Sequence, residues 1–282
     1  MTQSTQPVGM LIRDWRRHRR LSQLDLACEA EISQRHLSFV ESGRSQPSRE
    51  MVLHLAERLD LPLRERNALL VAAGFAPTFK ERPFDDPALD AARHAVDLVL
   101  KGHEPFPAVA VDRYWTLVSA NASVALWLDG VDAKLLEPPV NVLRLSLHPK
   151  GLAGRIANWS EWRAHILERL RRQYHATADA GVDRLIRELS GYPAPGGVRG
   201  AAQRPEADYG GVLIPLQFRM PGGILSFLAT TMVFGTAVDI TLAEMTVEAF
   251  FPADAATAAA LQGRPAHAAV VAPPKRRNRK TR

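Results

Sequence analysis

Gln34 and Arg35 stand side by side in the segment Ser33-Gln34-Arg35-His36-Leu37-Ser38-Phe39-Val40-Glu41. Both are side chains that pair with base edges, Arg bidentately with guanine and Gln with adenine. At helical spacing Leu37, Val40 and Glu41 share one face, and Gln34, Arg35, Ser38 and Phe39 lie on the other. Such a helix can anchor on its apolar side and send the other into the major groove of double-stranded DNA. Phe39, one turn beyond Arg35, has two readings: contact with a thymine methyl, or packing on the edge of the helical core. Gln23, at the start of the preceding helix, and Arg44, just past this one, are placed to bind phosphates. Gln23 would act through a helix N-terminus and Arg44 as a point charge.

Catalytic patterns are missing from the sequence. There is no HExxH, no Gly-x-Ser-x-Gly, no GxGxxG after a strand and no phosphate loop. The nine histidines are scattered, His165 and His175 lying ten apart on one helical pattern, so no metal-ligand spacing arises. The sequence therefore predicts no enzyme, no catalytic residue, no metal and no cofactor. Cys28, the sole cysteine, cannot form an internal disulfide and reads as a small buried hydrophobe.

The elements that hold Gln34 and Arg35 are legible on either side. Leu11, Ile12 and Trp15 mark a first helix, and Ser22 with Asp25 forms a capping box for a second. Ser33 caps the third and Gly43 ends it. Pro47-Ser48 opens a fourth with Val52, Leu55, Ala56 and Leu59, and a fifth with Leu69, Leu70 and Ala73 stops at Gly74. Residues 8–76 thus predict a five-helix domain. Of the five arginines between Arg13 and Arg20, a second phosphate contact and a solvated face are the two readings, and the buried stripe of Leu11, Ile12 and Trp15 favours the solvated face.

Pro77, Pro83 and Pro87 mark a linker, residues 77–87. Beyond it, residues 88–261 predict an α+β domain with an antiparallel sheet. A helix ends at Gly102, and Ala108–Val111 and Trp115–Val118 read as a hairpin around Asp112-Arg113. Asn121 caps a short helix through Leu128, and Asn158 with Glu161 opens a long one striped by Trp159, Trp162, Ile166, Leu170 and Tyr174. A further helix carries Val182, Leu185, Ile186 and Leu189. Residues 191–211 hold six Gly and three Pro and read as a long mobile loop. Strands follow at Val212–Arg219 and Ile224–Phe234, and Thr241 with Glu244 caps a last helix ending near Phe251-Pro252. Trp115, Trp127, Trp159, Trp162, Phe218, Phe227 and Phe234, with Phe250 and Phe251, supply more aromatic surface than a half-open sheet needs, so an apolar ligand pocket is expected, the first seven being its candidate lining. For each of these residues alone, plain core packing is the competing reading.

The chain has 282 residues, 46% of them hydrophobic, enough for about two domains and unlike a collagen, a coiled coil or a wholly disordered chain. Its net charge of +6 is unevenly spread: +2 over residues 1–75, −3 over 76–262 and +7 over 263–282. High pI is therefore a property of the tail, residues 262–282, which reads as disordered. Its Lys275, Arg276, Arg277, Arg279, Lys280 and Arg282 serve either nonspecific DNA contact or solubility. Met220–Val238 runs nineteen residues without a charge, but its Pro, Gly, Thr and Phe content suits strands better than a membrane span. No secretion signal opens the chain, and a reducing cytoplasm is the expected compartment.

Residues 9–74, through Ser22-Gln23-Leu24-Asp25-Leu26-Ala27, Ile32-Ser33, Val40-Glu41-Ser42-Gly43-Arg44 and Pro47-Ser48, resemble the phage-repressor-type (xenobiotic response element) helix-turn-helix. The remainder, through Val111-Asp112-Arg113-Tyr114-Trp115, Ala120-Asn121-Ala122, Asn158-Trp159 and Phe250-Phe251-Pro252-Ala253-Asp254, resembles the MmyB-like regulators, whose C-terminal half is PAS-like and binds ligand. The resemblance implies a transcription regulator that senses an apolar, fatty-acid-like molecule. It puts Gln34, Arg35 and Phe39 at bases and Gln23 and Arg44 at phosphates. One departure is Glu31, which stands where the motif's turn commonly has Gly. Because one recognition helix reads only a few base pairs, a homodimer on two half-sites is expected. The alternative reading is a protein-interaction module with no role toward DNA or ligand.

Overall fold

The computed structural model describes residues 6–196 and 213–262. The basic tail and most of the Gly/Pro-rich loop expected at 191–211 lie outside the described residues. Contacts divide the chain into two compact units.

The first unit is built on five helices: α1 (Val8–His18), α2 (Gln23–Glu29), α3 (Gln34–Glu41), α4 (Arg49–Arg58) and α5 (Leu63–Ala72). The starts of α2, α3 and α4 are set by side-chain caps, whereas α1 and α5 follow Pro7 and Pro62. Ser22 and Asp25 exchange side-chain and backbone hydrogen bonds in the capping box, and Ser33 and Ser48 accept from the amides of His36 and Met51. The apolar faces converge on one core of Ile12, Leu26, Leu37, Val52, Leu55 and Leu70. Removing each of these side chains from water contributes about 2 kcal/mol, which is what makes such short helices persist.

The second unit holds a five-stranded antiparallel sheet: β1 (Ala108–Val111), β2 (Leu117–Ala120), β3 (Leu216–Met220), β4 (Gly223–Val233) and β5 (Thr246–Pro252), in the spatial order β2-β1-β5-β4-β3. The helix α6 (Asp90–Gly102) precedes it, and α7 (Val142–Leu147), α8 (Trp159–Thr177) and α9 (Ala180–Ser190) are inserted between β2 and β3. In sequence, short α10 (Ile240–Ala243) and α11 (Ala255–Gln262) flank β5, but α10 and the last turns of α8 from Arg172 belong to the first unit. Val247 and Ala249 of β5 pack in one cluster with Val96 and Leu100 of α6, while Glu248 and Phe250 line a cavity; side chains two apart on a strand share a face.

Several sequence expectations are corrected here. The segment around Phe250 is the strand β5 and not a helix: it pairs with both β1 and β4, Ala110 opposite Val247 and Thr231 opposite Glu248. Thr241 lies inside α10, its hydroxyl bonded to the Arg82 carbonyl, and Glu244 follows that helix. Trp115 sits in the β1–β2 connection at φ +66, outside the strand. Asn121 caps nothing with its side chain. It is buried, donates to the carbonyls of Leu100 and Phe106 and accepts from the Ala108 amide. Asn158 does stand directly before α8, its Nδ2 3.4 Å from Glu161 Oε2, but its side chain also reaches toward β3, donating to Pro215 O and accepting from the Gln217 amide. The third strand starts at Leu216, after Pro215, which has no amide to donate.

Candidate functional site

The outer face of α3 is the first site. Leu37 and Val40 are fully buried, Gln34 and Arg35 are exposed, and Ser38 and Phe39 are half-buried. Beyond the helix Gly43 takes φ +73, and the exposed Arg44 follows. Its Cζ lies 5.9 Å from the Phe39 ring centroid, and that of Arg35 lies 5.3 Å from the same centroid. Phe39 is thus a platform for two guanidinium groups, an interaction worth about 0.5–1 kcal/mol at an exposed site.

The inner face is fixed by a buried ion pair. Arg16 donates from Nε to Glu41 Oε1 at 2.6 Å and from Nη2 to Oε2 at 2.8 Å, and Gln23 Nε2 donates to the same Oε2 at 2.8 Å. Burial pushes the Glu41 pKa up, but the hydrogen bonds from Arg16 and Gln23, with the charges of Arg16 and Arg13, outweigh it and leave the carboxyl below its ordinary value. Arg16 therefore departs from the solvated face expected of its neighbours, because a carboxylate on the buried stripe of α3 requires a cation. The turn between α2 and α3 holds Glu31 at φ +53, a left-handed conformation for a residue with a Cβ. Cys28, expected inside, is exposed, because Leu26 and Ala27 take the inward positions of α2.

The second site is a cavity of about 100 Å³ enclosed by the sheet and by α7 and α8. Trp162, His165, Ile166 and Arg169 line it from α8 at helical spacing, and Leu216, Phe218, Glu248 and Phe250 line it from β3 and β5. Trp127 is held by Phe218, Phe227 and Phe250, its ring 4.8 Å from that of Phe250. The wall is mainly aliphatic and aromatic, with Ser146 and His165 among its polar members and one charged corner. There Arg169 pairs with Glu248 through Nη1 at 2.8 Å and through Nη2, which also donates to Thr231 Oγ1 at 2.7 Å. The guanidinium carbon lies 4.5 Å from the Trp115 ring centroid.

Residues 12–66 match the helix-turn-helix family, and residues 92–263 match the MmyB-like transcription regulator ligand binding domain. The chain belongs to the MmyB-like transcription regulators. No curated protein matches it. This MmyB-like regulator joins a DNA-binding domain to a ligand-binding domain, and neither matched family is enzymatic. No helix among the described residues is long and apolar enough to cross a membrane.

Of the regulator's sequence-expected groove residues, the fold brings Gln34, Arg35, Ser38 and Phe39 onto one helix face, with Arg44 stacked on Phe39. Gln23 lies against Glu41 on the inner side. Of the expected ligand residues, Trp115, Trp127, Trp162 and Phe218 line the cavity. Trp159, Phe227 and Phe234 do not. Trp159 is buried with Arg163 against its ring, Phe227 packs behind Trp127, and Phe234 joins the cluster of Val96 and Val247 on the opposite side of the sheet. Phe250, one of the aromatic residues counted in the sequence, is on the wall too, whereas Arg169, Glu248 and His165 escape a reading by aromatic content. For Arg169 a signal does exist in the spacing Trp162, Ile166, Arg169, which continues the buried stripe of α8 into a cation.

Proposed function

We propose that this regulator binds double-stranded DNA sequence-specifically as a homodimer in the cytoplasm, reading bases with Gln34 and Arg35. The observation that carries the reading is the sidedness of α3: Gln34 and Arg35 exposed on one face, Leu37 and Val40 sealed against the helical core on the other. Ser38 and Phe39 complete the reading face. Phe39 also steers Arg35 and Arg44, which takes phosphate. Gln23, tied to Glu41, keeps a second amide hydrogen for a phosphate oxygen. Two copies would place two such helices one helical turn apart, about 10–10.5 bp.

In this proposal the domain at residues 88–261 is PAS-like and binds a small apolar, fatty-acid-like chain. The strand order and the cavity wall of Trp115, Trp127, Trp162 and Phe218 support it. The domain at 8–76 carries the DNA function, and 77–87 is the linker between them.

Selection of bound fragments from random genomic DNA tests the first part. We expect paired half-sites, with affinity falling steeply in salt at a log-log slope near about −0.9 per phosphate contact. Recovery of no consensus, or a flat salt response, would instead indicate a protein-interaction module. Native mass spectrometry of the purified chain tests the second part, which requires a bound apolar molecule or uptake of an added one.

A further inference from the structure

We propose that α8 is a lever that carries occupation of the cavity to α3: it pivots on Asn158, is pushed at Ile166 and acts on α1 through Arg19. The inference rests on the DNA and ligand readings above and adds a mechanical link between them.

α8 is one helix of 19 residues. Its Trp162, His165, Ile166 and Arg169 line the cavity, whereas its residues from Arg172 belong to the compact unit built on α1–α5. Among the described residues, no other element that lines the cavity has residues in that unit. The far end of α8 is held there. Arg19 donates from Nη1 to His175 O at 2.8 Å and from Nη2 to Ala176 O at 2.9 Å, and His18 Nε2 lies 2.8 Å from His175 O. These carbonyls close the helix, where end groups lack intrahelical partners and the dipole favours a cation. The same guanidinium donates from Nε to Leu59 O and from Nη2 to Asp60 O, both at 2.9 Å, just past α4. Arg19, like Arg16, thus departs from the solvated face expected of α1.

α1 cannot slide past α3. Arg16, one turn before Arg19, holds both carboxylate oxygens of Glu41, and Gly9 lies so close to the Val40 carbonyl that a Cβ would come within 2.2 Å of its oxygen. Hydrogen bonds fail over a few tenths of an ångström, so a displaced helix end either loses Arg19 or carries α1, and with it α3.

The cavity supplies the push. Its volume of about 100 Å³ is below the roughly 300–1,000 Å³ of ordinary ligand sites, so an acyl chain must move a wall. The sheet is the stiff side, β5 being bonded along both edges to β1 and β4. α8 is tied to it through side chains. Asn158, short and bonded to the backbone of Pro215 and Gln217, is the fixed point, while the long, quarter-exposed Arg169 side chain leaves slack at Glu248. At a rise of about 1.5 Å per residue, Ile166 lies about 12 Å from Asn158 and His175 about 25 Å. A tilt that moves Ile166 by about 0.5 Å therefore moves His175 by about 1 Å.

The test measures linkage on the full chain, with decanoate as probe and a duplex carrying the consensus recovered by genomic selection. Each is titrated alone and with the other saturating. We expect decanoate to change DNA affinity by at least about fivefold, and the duplex to change decanoate affinity by the same factor, because coupling between sites is reciprocal. Arg19→Ala should leave both separate affinities near native and bring the linkage factor to about one. Should that variant not fold, Arg171→Gly decides: it softens α8 at a half-exposed position between Ile166 and His175, keeps Arg19, and should also reduce the linkage. Native chain that binds both partners with unchanged affinities overturns the proposal. So does linkage of native strength in Arg19→Ala, or in Arg171→Gly where it stands in. Failure of decanoate or of the duplex to bind removes the earlier readings and the lever with them, an outcome distinct from intact binding without linkage.

Discussion

Arg16 and Glu41 meet through a two-pronged ion pair that fastens α1 to α3 across 25 residues of sequence, both side chains nearly sealed from water. A pair buried this way makes α3 dependent on α1 for its position, because either partner alone would be an uncompensated charge in the core.

Replacement of Glu41 by Gln should cost about 3 kcal/mol in chemical denaturation. The pH dependence follows from the lowered pKa of Glu41. The folded value lies below the unfolded one, so the contribution is present above about pH 4.3, the ordinary glutamate value, and is lost as pH falls through the folded value. Native protein should therefore lose stability steeply in that acid window. The Gln variant, less stable at neutral pH, should lose less there, and parallel acid curves for the two would count against the pair.

Arg35 and Arg44 rest on the same ring yet serve different purposes in the proposed complex. Arg35→Ala should cost about 1–3 kcal/mol at selected sites and flatten base preference, whereas Arg44→Ala should weaken all sequences alike and reduce the salt slope by about 0.9. Phe39→Ala should show part of both effects. Quantitative binding to matched specific and random duplexes separates them, and equal losses on both duplexes for Arg35→Ala would show that it does not read bases.

Glu31 holds a left-handed conformation in the turn before α3. Glycine there removes the Cβ clash, so Glu31→Gly should stabilise the helical domain by up to about 1 kcal/mol, a rise of roughly 4–8 °C in its melting temperature. A lower melting temperature would mean that the Glu31 side chain supplies more than its strain costs.

Gly9 and Gly43 are required for opposite reasons. A Cβ on Gly9 would lie 2.2 Å from the Val40 carbonyl oxygen, a backbone atom of α3 that cannot move aside alone. A Cβ on Gly43 would meet nothing within 4 Å, but the residue sits at φ +73. Gly9→Ala should cost about 1–3 kcal/mol and disturb DNA binding through a displaced α3, while Gly43→Ala should cost about 1 kcal/mol and leave α3 in place. Melting curves with binding measurements on both variants distinguish displacement from strain.

The helical unit was readable because its signals are local. Ser22, Ser33 and Ser48 each accept from an amide three residues on, and Leu37 and Val40 declare their face within one turn. Longer-range signals failed. Thr246–Pro252 is buried on both faces at its centre, so it lacks the alternation that marks a half-exposed strand. Asn121 and Asn158 have the residue type of a cap, but their side chains serve backbone groups of other elements, as far away as Pro215. The cavity's aromatic share was visible in composition. Its charged corner was not, since Arg169 and Glu248 are 79 residues apart and only the sheet register brings Thr231 beside them.

The strand at the middle of the sheet is also the last of the five to leave the ribosome. Until Thr246–Pro252 has been synthesised, β1 and β4 each lack a neighbour on the side that β5 will fill. A chain that stops short of this strand would present two open edges, an invitation to join other chains. Messages truncated near their 3′ end should accordingly yield aggregates rather than a shortened but soluble sensor.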